Sequence, residues 1–64
     1  MYVVMTGIVH IKGDEVKYNE YVNEFDNLEK AKENYKLINN VISEWNLMGS
    51  VRLFDDDTGE VLSP

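Results

Sequence analysis

A chain of 64 residues with no cysteine has to find its stability in packing alone. A domain this short buries only about 60% of the surface its unfolded chain exposes, so small folds usually add disulfides, a structural metal or a partner. Disulfides are excluded here. The only conventional soft metal ligand is His10, which alone predicts neither a structural metal nor a cofactor. One well-filled core over residues 1–64, or self-association, is what remains.

The residue pattern places that core in a mixed fold. Tyr2 to Lys12 is rich in β-branched residues and free of proline, which predicts a strand over about 2–12. Gly13-Asp14 fits a two-residue hairpin loop of type II′, with glycine first, and residues 16–25 return as a second strand. Setting Lys12 opposite Glu15 brings Ile11 to Val16, Val9 to Tyr18, Met5 to Val22 and Val3 to Glu24. One face then carries Val3, Met5, Val9, Ile11, Val16, Tyr18 and Val22. The other carries Tyr2, Val4, Thr6, Ile8, His10, Tyr21 and Phe25. Gly7, opposite Glu20, interrupts the apolar column and reads as a bulge.

A helix is expected over about 27–48. Asp26 and Glu29 form a capping-box pattern. Leu28, Ala31, Tyr35, Ile38, Ile42 and Trp45 then recur alternately three and four residues apart, a single helical stripe that Leu37, Val41 and Met48 widen. Gly49 takes the place of a terminating glycine. Short strands over 51–54 and 60–63 flank the turn Asp55-Asp56-Asp57-Thr58-Gly59-Glu60. The predicted fold is α+β: ββαββ, a four-stranded antiparallel sheet in the order 2-1-3-4 with one helix packed on one face. That order gives the helix a right-handed crossing.

Charge narrows the function classes. Twelve Asp and Glu oppose six Lys and Arg, a net charge of −6. Residues 27–47 balance, so the surplus of acid lies on the hairpins and their turns. Direct nucleic-acid binding, which needs a basic patch, is not expected. No apolar run is long enough for a membrane span, and the first residues lack the basic start of an export signal. A cytoplasmic protein is the expectation.

No catalytic constellation emerges. His10 has Tyr2, Ile8 and Lys17 as predicted neighbours, none of them an orienting carboxylate, so the chain is not expected to be an enzyme. The Asp55–Glu60 turn gathers hard oxygen ligands, but its glycine falls one place early for a calcium loop and no bidentate glutamate follows. The aromatic residues are better read as core than as a base-stacking platform.

One helix covers one face of a small sheet. With the helix on the Val3/Met5/Val9 face, Tyr2, Val4, Ile8, Tyr21 and Phe25 are left outward as a candidate interaction surface. The expected function is a small non-enzymatic protein-binding or accessory module, homodimeric through that face or docked there on another protein. The alternative is an acidic decoy that inhibits a nucleic-acid-binding protein by imitating phosphate charge.

Two stretches carry a resemblance: Phe25-Asp26-Asn27-Leu28-Glu29-Lys30-Ala31 and Phe54-Asp55-Asp56-Asp57-Thr58-Gly59-Glu60-Val61. Through them the chain resembles small proteins encoded by bacteriophages and prophages of Gram-positive bacteria, of the Bacillus SPβ kind. The resemblance implies an accessory or host-takeover role and assigns no functional residue.

Overall fold

Glycine first in the hairpin loop sets the register of the sheet. In the computed structural model, which describes residues 1–63, Gly13 has φ 61° while Asp14 does not turn positive, as a type II′ loop requires. From that loop β1 (Tyr2–Lys12) and β2 (Glu15–Phe25) pair antiparallel without a break, from Lys12↔Glu15 to Tyr2↔Phe25. The expected pairs of Ile11 with Val16, Val9 with Tyr18 and Met5 with Val22 all form. Gly7 is not a bulge: it stands opposite Glu20 in continuous register.

β3 (Met48–Asp55) pairs antiparallel along the other side of β1, giving a three-stranded sheet in the order β2-β1-β3. The expected fourth strand over 60–63 is reduced to a single bridge, Phe54↔Val61. The hydrogen bonds explain why. The Glu60 N–H is taken by the Thr58 hydroxyl, and the Leu53 carbonyl accepts from both Leu62 and Ser63, so the alternation a ladder needs is lost. The return segment still places Leu62 against the core.

Between β2 and β3 runs α1 (Leu28–Glu44), shorter than its apolar stripe predicts. Its N-cap is Asn27, not Asp26. The Asn27 side-chain oxygen accepts from the backbone N–H groups of Glu29 and Lys30, at 2.8 and 3.3 Å. Its C-terminus is closed by Asn46 rather than Gly49. Asn46 has φ 53°, its N–H donates to the Ser43 carbonyl at 3.3 Å, and the Leu47 N–H reaches the Ile42 carbonyl at 3.0 Å. That pair of bonds is a Schellman motif with asparagine in the left-handed position. Met48 and Gly49 are thereby released into β3.

The helix lies on the sheet face that carries Tyr2, Val4 and Thr6. Val4, Ala31 and Leu53 form the buried centre, with Tyr2, Phe25, Tyr35, Ile38, Val51 and Leu62 packed around it. Full burial of Leu53 and Val4 contributes roughly 1.5–3 kcal/mol each. β3 accounts for the choice of face. Its apolar residues Val51 and Leu53 pair with Thr6 and Val4, whereas Ser50 and Arg52 pair with Gly7 and Met5. Covering the first face buries both aliphatic side chains; covering the second would bury an unpaired arginine, at a large desolvation cost.

This overturns the expected interaction surface. Val4 is fully buried, Tyr2 and Phe25 pack against the core, and Ile8 is half-buried beneath the helix side of the sheet. Tyr21 alone of the five stays open, at 53% exposure.

Candidate interaction surface

The face opposite the helix is the open one, and its rows follow from the register. Across β2, β1 and β3 they run Glu24-Val3-Phe54, Val22-Met5-Arg52, Glu20-Gly7-Ser50 and Tyr18-Val9-Met48, with Val16-Ile11 at the hairpin end. Val3 is buried in its row, but apolar exposure rises toward the loop. Ile11 is 59% exposed, Tyr18 60% and Val16 68%.

That end of the molecule is a projecting arm. β3 stops pairing at Val9↔Met48, so residues 10–17 belong to two strands that have only each other. The longest dimension of the molecule, 40 Å, matches an 11-residue strand at about 3.3 Å per residue. The arm is two-faced. His10, Lys12, Glu15 and Lys17 share one side with the helix, and Val9, Ile11, Val16 and Tyr18 share the other. Alternating apolar and polar residues with period two put them there.

Tyr18 ties the arm back to the sheet. A Cβ built on Gly7 would collide with the Tyr18 hydroxyl and its ring carbon Cζ, so the ring lies over the bare glycine backbone. The bulge expected at residue 7 is replaced by this cross-strand cover. Partial withdrawal from water, followed by the neighbouring Glu20 carboxylate, raises the Tyr18 hydroxyl above its ordinary pKa of 10.0.

The other sequence candidates are dispersed. His10 lies in the arm opposite Lys17, exposed, on the helix side. The acidic turn is organised by its own chain: the Asp57 N–H donates to Asp55 Oδ1 at 2.9 Å, the Gly59 N–H to the Asp55 carbonyl at 2.7 Å, and Gly59 has φ 76°. The Met1 α-amino group lies 2.9 Å from Asp57 Oδ2. That hydrogen bond, reinforced by the charges of Asp57, Asp55 and Asp56, holds the amine above its ordinary value of 8.0 despite partial desolvation. Among the described residues no three His, Cys, Asp or Glu side chains converge as a metal site. No helix of the described residues is long and apolar enough to cross a membrane.

The sequence pattern puts Val9, Ile11, Val16 and Tyr18 on the covered face and Met48 on the helical stripe, whereas all five lie on the open face. The signal that places them is the Val51-Arg52-Leu53 alternation, once β3 is set beside β1. No known protein family matches the sequence, and no curated protein or solved structure shows significant similarity to it. Function therefore has to be argued from this surface.

Proposed function

We propose that the protein is a small non-enzymatic, cytoplasmic protein-binding module that forms an isologous homodimer through the open sheet face. The observation that supports this is the apolar side of the arm, where Ile11, Val16 and Tyr18 are each more than half exposed. A two-stranded hairpin is at best marginally stable alone in water. Pairing two such faces about a twofold axis covers both at once and supplies burial that a 64-residue chain otherwise lacks. An accessory role of the kind implied by the phage-protein resemblance fits a module of this sort.

The decoy reading draws less support. A phosphate mimic needs a regular row of carboxylates, and the open face offers Glu20 and Glu24 of β2 with Arg52 two strands away in the row between them. Salt-weakened binding to a basic protein is the result that would favour it.

The test is solution mass by size-exclusion chromatography with light scattering. The parent is expected to be a dimer, and Val16→Glu and Ile11→Glu are expected to halve its mass while keeping the circular dichroism spectrum. Tyr21→Glu, on the helix side, is expected to keep the dimer. A parent that stays monomeric at all concentrations, or arm variants with the parental mass, sinks the reading.

A further inference from the structure

Among the described sheet residues, Arg52 is the one cation on the open face. It is exposed, and no carboxylate of the described residues lies within 4.0 Å of it. The acids of this face are Glu20 and Glu24 of β2, which stand in the rows on either side of Val22-Met5-Arg52. They are two strand spacings away, roughly 10 Å, and a further two residues along the strand. Arg52 and the two glutamates are thus complementary charges on opposite edges of one surface, left unpaired within the chain.

The homodimer proposed above, on which this inference rests, can align its strands in two ways. Sheets packed face to face keep their strands within about 30° of each other, so the twofold axis runs between them either across the strands or along them. An axis across the strands sets β3 on β3, where Met48, Ser50 and Phe54 offer Arg52 no acid. An axis along β1 exchanges the outer strands and keeps every row at its own level. The partner's Arg52 then lies over Val22, about 7 Å along the strand from Glu20 on one side and from Glu24 on the other. The same operation sets the partner's Met48 over Tyr18, a thioether against an aromatic ring, where the single chain leaves them 59% and 60% exposed. Bare Gly7 makes room at the axis. A dent of about 220 Å³ lies there between Glu20 on one side and Ser50 and Arg52 on the other, and the two dents come face to face.

We propose that two copies pack about a twofold parallel to β1, with Arg52 of each held between Glu20 and Glu24 of the other. The pairs sit over the outer strands, near water, so they select this orientation more than they add affinity. Two chains of charge −6 otherwise repel, which makes the placing of the one cation decisive.

The test is a pair of charge reversals, Arg52→Glu and the double variant Glu20→Lys with Glu24→Lys, followed by native mass spectrometry and light scattering. Each alone sets like charges together and is expected to weaken the dimer at least about tenfold, with the circular dichroism spectrum kept. The lysine variant is the sharper of the two, because it lowers the net negative charge, and relief of overall repulsion would tighten the dimer instead. Mixed in equal amounts, the two are expected to form a heterodimer within about threefold of the parent affinity, since both contacts are then complementary again. A milder variant, Arg52→Gln, is expected to weaken the dimer about threefold and reads the same contact if a reversal unfolds the chain. Reversals that dimerise like the parent and mix at random overturn this arrangement and leave the homodimer standing, as does a lysine variant that binds more tightly than the parent. A parent that is monomeric at all concentrations removes the homodimer itself, and this arrangement with it.

Discussion

The Tyr18 ring lies over Gly7 and occupies the space a side chain at residue 7 would need. A second glycine in the same neighbourhood is closed off by backbone: a Cβ on Gly49 would fall 2.5 Å from the Gly7 carbonyl oxygen. The two sites differ in what must yield. At Gly7 the obstacle is the far end of a side chain that can swing away, whereas at Gly49 it is the backbone of the central strand. Gly49→Ala is therefore expected to cost about 1–3 kcal/mol, and Gly7→Ala less than about 1 kcal/mol, in urea unfolding. Gly7→Ala should instead expose Tyr18, read as a change in its ring chemical shifts.

Tyr18 also carries a pH signature. Its hydroxyl titrates above 10.0 in the folded chain because of partial desolvation and the Glu20 carboxylate. The folded state thus holds a proton that the unfolded chain loses first. The resulting stability is complete below pH 10 and disappears as pH rises through the folded value. Thermal melts of the parent are expected to fall more steeply above pH 10 than those of Tyr18→Phe. Identical slopes would show that the phenol is not coupled to folding.

The helix ends give a comparison between neighbouring residues. Asn27 accepts two backbone N–H groups at the start of α1, and Asp26 accepts none among the described residues. Asn27→Ala is expected to lower stability by about 1 kcal/mol, and Asp26→Ala by less than about 0.5 kcal/mol. At the other end, Asn46 at φ 53° is expected to tolerate glycine and to lose about 1–2 kcal/mol on replacement by valine.

Leu53 and Val22 separate core from surface. Leu53 is 2% exposed between Val4 and the helix, while Val22 on the open face is 53% exposed. Leu53→Ala is expected to cost about 2–5 kcal/mol, which takes roughly a third to three-quarters of the stability of a domain held by about 0.1 kcal/mol per residue. Val22→Ala is expected to stay within about 0.5 kcal/mol when measured on the monomeric Val16→Glu background. Denaturant midpoints with unchanged slopes would settle both.

Local chemistry made much of the fold legible. The Gly13-Asp14 loop determines the whole β1–β2 register, because a two-residue hairpin leaves no freedom to slip. The helical stripe from Leu28 to Ile42 was equally plain. The errors came where two local signals competed. Gly49 looked like a helix terminator, but Asn46 reached the left-handed region first, and Gly49 was needed for a close strand approach. Asp26 and Asn27 are both good caps, and only the backbone geometry distinguishes them. The covered face was misassigned because both faces of the hairpin are apolar. The deciding residue, Arg52, belongs to a strand that joins the sheet from far along the chain.

The lone two-stranded arm has a consequence for the order in which the molecule comes apart. Amides of residues 10–17 can be protected only by each other, whereas those of Val3 to Thr6 belong to the strand held on both sides. Amide hydrogen exchange in an isolated chain should therefore run on two clocks, a fast one for the finger and a slow one for the helix-backed block. A destabilising change at Leu53 would speed the slow clock and leave the fast one alone. Anything that closes over Val16 and Ile11 would do the reverse, slowing the finger until the two clocks approach a common rate.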